Sequence, residues 1–281
     1  MTDLTPNTIY NLDILELTKH IPDEYFDCII TDCPYKIIAG GVRIVEMDDN
    51  PLKKDYSKTD PKGCLNRGRV VVSDGSPISN KWLKKDSSTI PCAVRNGKMF
   101  HHNDIKFKDW LPEMYRVLKK GTHCYIMING RNLSELTVQA EKVGFVWQQL
   151  LVWKKQNLTP NKYYMNGAEF ILMLSKRPAK NINNMGSGNI ISIPNIIGKD
   201  STMHPTAKPI ELMKILIENS TKKGDIVFEP FAGGGSTLVA CKMLDRNFIG
   251  CEIDELYYNM SLNNLQNLSL KSKVDTGEEV I

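Results

Sequence analysis

A glycine-rich segment at residues 228–237, Phe-Glu-Pro-Phe-Ala-Gly-Gly-Gly-Ser-Thr, constrains the fold more than any other stretch. It follows an apolar run at 226–228 and precedes a helical pattern over 236–244, so it predicts a strand, a tight loop and a helix. Glycines permit positive φ angles and let the backbone approach a ligand closely. Ser236 or Thr237 is expected to cap the helix. The segment is either a ligand-binding loop or a turn with structural glycines.

The loop lacks the residues that bind phosphates. It has no third glycine of a G-x-G-x-x-G pattern and no lysine of a G-x-x-x-x-G-K-[ST] pattern, which indicates a nucleoside ligand without phosphates. The next apolar run, 248–251, ends at Glu252 and Asp254. A doubly wound α/β fold places an acid there to hold ribose hydroxyls. S-adenosylmethionine is therefore the predicted cofactor.

Composition narrows the class of protein. The chain has 281 residues, enough for a full hydrophobic core, and a formal net charge of only +4. Its seven cysteines include no C-x-x-C pair, and its histidines lack metal-ligand spacing, so neither a disulfide framework nor a metal site is expected. Residues 1–6 have no basic and apolar leader, and no run approaches the length of a membrane span. The expected location is the cytoplasm, without a membrane.

Apolar periodicity along the chain alternates between strands and helices. Strands are predicted at 8–10, 26–31, 123–128, 145–153, 169–174, 226–228 and 248–251, and helices at 13–20, 104–119, 133–143, 210–217 and 236–244. This order predicts an α/β fold with a mostly parallel central sheet and helices on both faces. The strands at 145–153 and 169–174 lack a helix between them, so an antiparallel pair at the sheet edge is expected. From Leu265 onward a polar tail is expected to fray.

The buried strand at 26–31 leads into Asp32-Cys33-Pro34-Tyr35. Asp32 and the carbonyl of Cys33 can accept hydrogen bonds from an exocyclic amine, and Tyr35 can stack on a flat heterocycle. Pro34 stiffens the turn, so less entropy is lost on binding. The four residues form either a binding site for a heterocycle with an exocyclic amine or an ordinary capped turn.

Residues 36–98 form a basic insertion. They carry 13 Lys and Arg against 7 Asp and Glu, so the rest of the chain is net acidic. Basic residues interleaved with glycines and an aromatic suit a segment that follows phosphates. A solvated insertion without that role is the alternative.

Together these motifs resemble the β class of DNA amino-methyltransferases, across residues 7–35, 100–176 and 203–262. The matching motifs are Asp32-Cys33-Pro34-Tyr35, His204-Pro205-Thr206-Ala207-Lys208-Pro209, the glycine-rich segment and the Glu252 strand. Their order is the telling feature, because in this class a [DNS]-P-P-[YFW] catalytic turn precedes the cofactor loop. The resemblance implies a Rossmann-like methyltransferase fold with circularly permuted motifs, in one catalytic domain spanning 1–281.

The resemblance also assigns roles to individual residues. Asp32, Cys33, Pro34 and Tyr35 form the catalytic turn, although Cys33 stands where the class has a second proline. Asp13 lies near the adenine of the cofactor, Glu252 binds its ribose, and Thr206 and Lys208 lie near its methionine carboxylate. The glycine-loop candidates for cofactor binding are Glu229, Phe231, Ala232, Gly233, Gly235, Ser236 and Thr237.

The implied reaction is methyl transfer to an exocyclic amine of a base flipped out of duplex DNA. Asp at position 32 favours adenine N6, and cytosine N4 is the alternative. A non-catalytic methylase-like subunit that binds DNA or RNA is a further reading. The class also implies a homodimer, and any restriction endonuclease would be a separate chain. Segments 36–98 and 177–203 are the candidate DNA-recognition segments.

Deletion of residues 40–95 is expected to abolish DNA binding and to leave cofactor binding intact, because the segment carries the excess positive charge. Gel-shift titration and calorimetry with S-adenosylmethionine measure the two affinities. Unchanged DNA affinity would contradict a role of this segment in recognition.

Overall fold

The computed structural model describes residues 4–34, 105–159, 164–194 and 208–276. The strands are β1 (Thr8–Tyr10), β2 (Phe26–Asp32), β3 (Leu118–Ile128), β4 (Val146–Thr159), β5 (Asn166–Ser175), β6 (Ile190–Ser192), β7 (Ile226–Glu229) and β8 (Asn247–Cys251). The helices are α1 (Ile14–Thr18), α2 (Phe107–Val117), α3 (Leu133–Val143), α4 (Ile210–Ser220), α5 (Ser236–Met243) and α6 (Glu255–Thr276).

The described strands form one eight-stranded sheet in the order β1-β8-β7-β2-β3-β5-β4-β6. β1, β8, β7, β2 and β3 pair in parallel, and β6 pairs in parallel with β4. β5 is antiparallel to both of its neighbours and is therefore the one reversed strand of this sheet. The predicted mostly parallel α/β sheet is confirmed.

Apolar side chains alternate between the two faces of the sheet because successive strand residues point in opposite directions. Ile29 of β2 joins the core beneath α1, α2 and α3, whereas the next residue, Ile30, joins the core beneath α4, α5 and α6. The two sides of β2 are thus both covered, as expected for a central parallel strand. The prediction of helices on both faces is confirmed.

Local sequence explains the limits of the helices on the first face. Phe107, Trp110 and Met114 are spaced to bury one side of α2, and the Asp109 carboxylate accepts a hydrogen bond from the Lys106 amide at its start. α3 ends at Gly144, whose φ of 113° lies in the left-handed region that glycine tolerates. These helices therefore begin and end where the sequence predicts, within a few residues.

Two elements differ from the expectations. The antiparallel pair β4 and β5 is confirmed, but β4 is not the edge strand, because β6 pairs with Val152, Trp153 and Lys154 outside it. β6 has only three residues and lies within the predicted 177–203 connector, whose polar composition does not indicate a strand. The expected fraying from Leu265 is also wrong, because α6 continues to Thr276 and buries Leu265 against the sheet.

No helix in the described ranges is long and apolar enough to cross a membrane.

Replacing Leu172 by Ala tests the packing of the reversed strand. Leu172 is fully buried in the middle of β5, and loss of such a side chain costs about 2–5 kcal/mol of unfolding free energy. Val138→Ala on α3 is the control, since Val138 is 45% exposed, and is expected to change stability by less than about 0.5 kcal/mol. Equal effects in urea denaturation would contradict the assignment of Leu172 to the core.

Candidate active site

The candidate site lies at the carboxyl ends of neighbouring parallel strands. β2 ends at Asp32, β7 ends at Glu229, and β8 is followed by Glu252. Since these strands are adjacent and parallel, their carboxyl ends share one edge of the sheet. Open α/β sheets bind ligands in the crevice outside this edge. The permuted order of the motifs therefore does not separate the cofactor loop from the catalytic turn.

The glycine loop is a tight turn tied to neighbouring elements. Gly233 and Gly235 have φ angles of 51° and 78°, in the left-handed region that glycine adopts readily. The Gly235 amide donates to the Ala232 carbonyl at 2.8 Å, and the Ala232 amide donates to the Cys251 carbonyl of β8 at 2.8 Å. The predicted strand, tight loop and helix are thus present.

Helix α6 supports the same loop, a contact that sequence reasoning missed. The Ser261 hydroxyl donates to the Gly233 carbonyl at 2.6 Å, and the Asn264 side-chain amide donates to the Gly234 carbonyl at 2.8 Å. Ser261 and Asn264 are three residues apart and so share one face of the helix. That spacing of small polar residues was the available signal, but it lies next to the tail that was expected to fray.

The first turn of α5 departs from the predicted capping. Gly235 is the N-cap residue and no side chain caps the helix, so the expected cap by Ser236 or Thr237 is wrong. The Thr237 hydroxyl instead donates to the Glu229 carboxyl at 2.8 Å. The Phe231 amide donates to the other carboxyl oxygen at 3.2 Å.

Glu229 is a buried acid, only 4% exposed. Burial raises the pKa of Glu229 to about 8, although the hydrogen bonds from Thr237 and Phe231 favour the charged form. The carboxyl is therefore mostly protonated at neutral pH. A cationic ligand nearby would favour its ionised form.

Glu252 holds the loop from the next strand. One carboxylate oxygen accepts from the Gly233 amide at 2.7 Å and the other from the Asp254 amide at 2.9 Å. Burial raises the pKa of Glu252 above its ordinary value. Each carboxylate oxygen can accept a further hydrogen bond. Glu252 therefore suits the hydroxyl donors of a ribose.

The turn after β1 packs against this acid. The Glu252 amide donates to the Tyr10 carbonyl at 3.0 Å, and the Asn11 side chain donates to the Glu252 carbonyl at 2.8 Å. Asp13 follows as the N-cap of α1, where it accepts from the Leu15 amide at 2.8 Å. The structure therefore brings the turn that carries Asp13 to Glu252.

Asp32 is a partly exposed acid at this edge, with 27% of its side chain accessible. Its carboxylate forms an ion pair with the ammonium of Lys208, which lies just before α4 and is 10% exposed. Burial raises the pKa of Asp32 against the opposing effect of Lys208. The resemblance implies that Lys208 lies by a methionine carboxylate, but here its ammonium contacts the catalytic turn.

Cys33 turns away from the crevice into the core. Its side chain is 2% exposed, and its Sγ lies 3.7 Å from the Met127 carbonyl of β3. Burial raises the pKa of the Cys33 thiol well above its ordinary value. Because the thiolate is the reactive form, Cys33 is unsuited to attack a base. Pro34 is the last residue described in this turn, while Tyr35 and Thr206 lie outside the described residues, as does all of 36–98.

Two further charged residues join Asp32 and Lys208, and sequence reasoning missed both. Glu169 of β5 lies 3.6 Å from the Lys208 ammonium and forms a second ion pair with Lys155 of β4. Although burial opposes its ionisation, the two ammonium groups hold the pKa of Glu169 below its ordinary value. The available signal was an opposite-charge pair on the facing strands of the antiparallel pair.

The donor set fits S-adenosylmethionine. Glu252 supplies an acceptor for ribose hydroxyls. The glycines of the loop have no side chains, so a ligand can approach the loop backbone closely. Phe231, half-buried in the loop, packs edge-on against Trp110 of α2 with ring centroids 5.3 Å apart, and so presents a fixed aromatic group. Across the described ranges, no group of three His, Cys, Asp or Glu could hold a metal ion.

Comparisons with known proteins agree with this geometry. The N6/N4 family of DNA methylases matches residues 26–263. The type II methyltransferase M.HindIII of Haemophilus influenzae is 27% identical over 307 aligned positions, which cover 92% of this chain and 94% of that protein. M1.HpyAVI, solved as its SAM complex, has a TM-score of 0.59 and 24% identity, covering 92% of this chain and 99% of that one. The cytosine-N4-specific PvuII DNA methyltransferase has a TM-score of 0.61 and 15% identity, covering 98% and 94%.

An α/β sheet with a glycine loop and an acid-bearing turn at its carboxyl edge defines a Rossmann-like methyltransferase. The match over most of the length shows that the chain belongs to the N6/N4 DNA methylase family. The predicted class, an S-adenosylmethionine-dependent DNA amino-methyltransferase, is thereby confirmed.

Replacing Gly235 by Ala tests the loop geometry. A Cβ at Gly235 would lie 2.9 Å from the Ser261 hydroxyl, in addition to the strain of a φ of 78°. Gly224→Ala is the control, because its φ is 84° but nothing lies within 4 Å of the new Cβ. The control is expected to cost about 1–2 kcal/mol of unfolding free energy from strain alone. Gly235→Ala is expected to cost more and to weaken S-adenosylmethionine binding, as measured by denaturation and calorimetry; equal costs with unchanged binding would contradict this account of the loop.

Proposed function

We propose that this protein methylates the exocyclic N6 amine of adenine at a specific site in duplex DNA. The observation that carries the proposal is the Asp32 carboxylate, 27% exposed at the end of β2, on the strand next to the one that enters the glycine loop. Adenine and cytosine both present an exocyclic amine. Asp at position 32 supports adenine, because Ser is the commoner residue there among cytosine methylases of the resembling class.

Asp32 is the residue that orients the target amine. The nitrogen of an aromatic amine is a poor nucleophile, because its lone pair is delocalised into the ring. A hydrogen bond from the amine to Asp32, and a second to the Cys33 carbonyl, favours a pyramidal nitrogen and stabilises the positive charge that develops on it. Correct alignment of the two reactants contributes up to roughly 7–11 kcal/mol of the barrier reduction.

No covalent enzyme intermediate is involved. The buried Cys33 thiol supports direct transfer, since it is neither exposed nor ionised. The new bond forms between the amine nitrogen and the methyl carbon while the bond from that carbon to sulfur breaks. The electron pair of the broken bond stays on sulfur, so S-adenosylhomocysteine is the leaving group, and the methylated amine loses one proton to water. Tyr35 stacks on the target base, and Pro34 keeps the turn rigid.

S-adenosylmethionine supplies the methyl group as an electrophile bonded to a sulfonium. Glu252 and Asp13 hold its nucleoside end, and Thr206 and Lys208 hold its methionine carboxylate. The remaining binding residues are those of the glycine loop: Glu229, Phe231, Ala232, Gly233, Gly235, Ser236 and Thr237. The hydrogen bonds that fix Glu252 and the glycine loop support the assignments of those residues. The assignments of Thr206 and Lys208 rest on the resemblance, and Lys208 is also ion-paired with Asp32.

The substrate base must leave the duplex, because its amine cannot reach the site from within the stack. Segments 36–98 and 177–203 are the proposed DNA-recognition segments. The basic composition of the first supports a phosphate-contacting role.

The assembly and the location of the protein are also proposals. We propose a homodimer in the cytoplasm, with any restriction endonuclease on a separate chain. Within the described ranges, the cysteines at 28, 33, 124, 241 and 251 are all free thiols, which supports a reducing compartment.

Nucleoside analysis after methylation tests the substrate. Purified protein is incubated with methyl-labelled S-adenosylmethionine and mixed-sequence duplex DNA, and the digested nucleosides are separated. Label is expected on the N6 amine of deoxyadenosine. Label on the N4 amine of deoxycytidine would contradict the assignment of adenine as the target base. Absence of label with intact cofactor binding would contradict the assignment of a DNA methyltransferase activity.

Asp32→Asn gives the matched catalytic test. The amide keeps the size of the side chain and loses the charge, so kcat is expected to fall on the order of 100-fold. Asp245→Asn is the control, since Asp245 forms a surface ion pair with Lys223 at 2.7 Å. Equal kcat in the two variants would contradict the role of Asp32.

A further inference from the structure

Four charged side chains form a row along the carboxyl edge of the sheet. In spatial order they are Lys155 of β4, Glu169 of β5, Lys208 before α4 and Asp32 of β2. Their charges alternate in sign, and consecutive members are ion-paired. All four side chains are less than one-third exposed, so water screens the row less than it screens a surface pair.

Strand alternation explains why these residues meet. Glu169 shares a face of β5 with Ile171, and Asp32 shares a face of β2 with Ile30, because residues two apart point the same way. Both apolar partners belong to the core beneath α4. Lys208 stands directly before α4 and therefore enters from the same side.

The far end of the row is fixed to the sheet. The Lys155 ammonium lies 5.1 Å from the centroid of the Trp153 ring, and the Trp153 indole donates to the Ile193 carbonyl at 2.8 Å. Lys155 in turn holds Glu169 from the neighbouring strand. A lysine on its own is a flexible point charge with four rotatable bonds. A fixed Glu169 restricts where the Lys208 ammonium can lie.

We propose that Glu169 and Lys155 are positioning residues, which fix the Lys208 ammonium and, through it, the Asp32 carboxylate that receives the target amine. The proposal rests on the proposed function, in which Asp32 contacts the substrate. Neither Glu169 nor Lys155 touches Asp32 directly in this network. They act through Lys208.

The alternation of charge gives the network a distinctive signature. Burial raises the pKa of Asp32, Lys208 and Lys155 lower it, and Glu169 raises it. Glu229 of β7 is a further acid near Asp32. Removing the charge of Glu169 therefore lowers the Asp32 pKa, whereas removing that of Lys155 raises it. If Glu169 and Lys155 had only a structural role, their substitution would not shift the Asp32 pKa in opposite directions.

The test uses Glu169→Gln and Lys155→Met in the full chain without cofactor. Carbon-13 NMR follows the titration of Asp carboxyl groups, and the spectrum of Asp32→Asn identifies the Asp32 signal. Glu169→Gln is expected to move the Asp32 midpoint to lower pH, and Lys155→Met to higher pH. Glu211→Gln on α4 is the control, because Glu211 pairs with Lys214 at the surface and is 67% exposed. Unchanged midpoints, or shifts of the same sign, would overturn the network.

Kinetics provide the second readout. Glu169→Gln is expected to lower kcat by about 10- to 100-fold, because a small misplacement of a catalytic group has this effect, with the KM for S-adenosylmethionine little changed. Glu169→Asp is expected to recover part of that loss, and thermal unfolding shows whether each variant folds. A higher KM for S-adenosylmethionine with an unchanged kcat would overturn the positioning role. The NMR titration does not depend on turnover, so a failure of the network is distinguishable from a failure of the proposed function.

Discussion

Burial of β2 between two apolar layers is the constraint on which the rest of the structure depends. Ile29 packs into the core beneath α1 and α2 on one face, while its neighbour Ile30 packs into the core beneath α4 on the other. A strand covered on both faces has its side-chain register fixed, because a slip of one residue would exchange its two faces. Asp32 therefore lies at the carboxyl edge of the sheet on the side covered by α4, and Lys208, just before α4, lies on the same side.

The same constraint makes the order of the motifs along the chain immaterial. β2 comes early and β7 late in the sequence, yet they are neighbours in the sheet. The catalytic turn and the cofactor loop meet because both follow parallel strands of one sheet. Helix α6 then holds the loop through Ser261, and Glu252 holds it from β8. Each motif is supported by an element distant in sequence.

Sequence patterns predicted the fold well and the site in part. Apolar periodicity located β2, α2 and α4 because it depends on local spacing alone. The pairing of Glu169 with Lys208 could not be predicted, since it depends on which strands become neighbours. The capping of α5 was predicted wrongly, because Thr237 bonds to a buried Glu229 that lies eight residues earlier. The roles of Tyr35 and Thr206, which lie outside the described residues, stay predictions.

The most direct measurement is a crystal structure of the ternary complex with duplex DNA and a non-reactive analogue of S-adenosylmethionine. We predict an extrahelical adenine whose N6 nitrogen lies within about 3.2 Å of the Asp32 carboxylate, with the analogue against the glycine loop. A target amine held by other groups, without contact to Asp32, would contradict it.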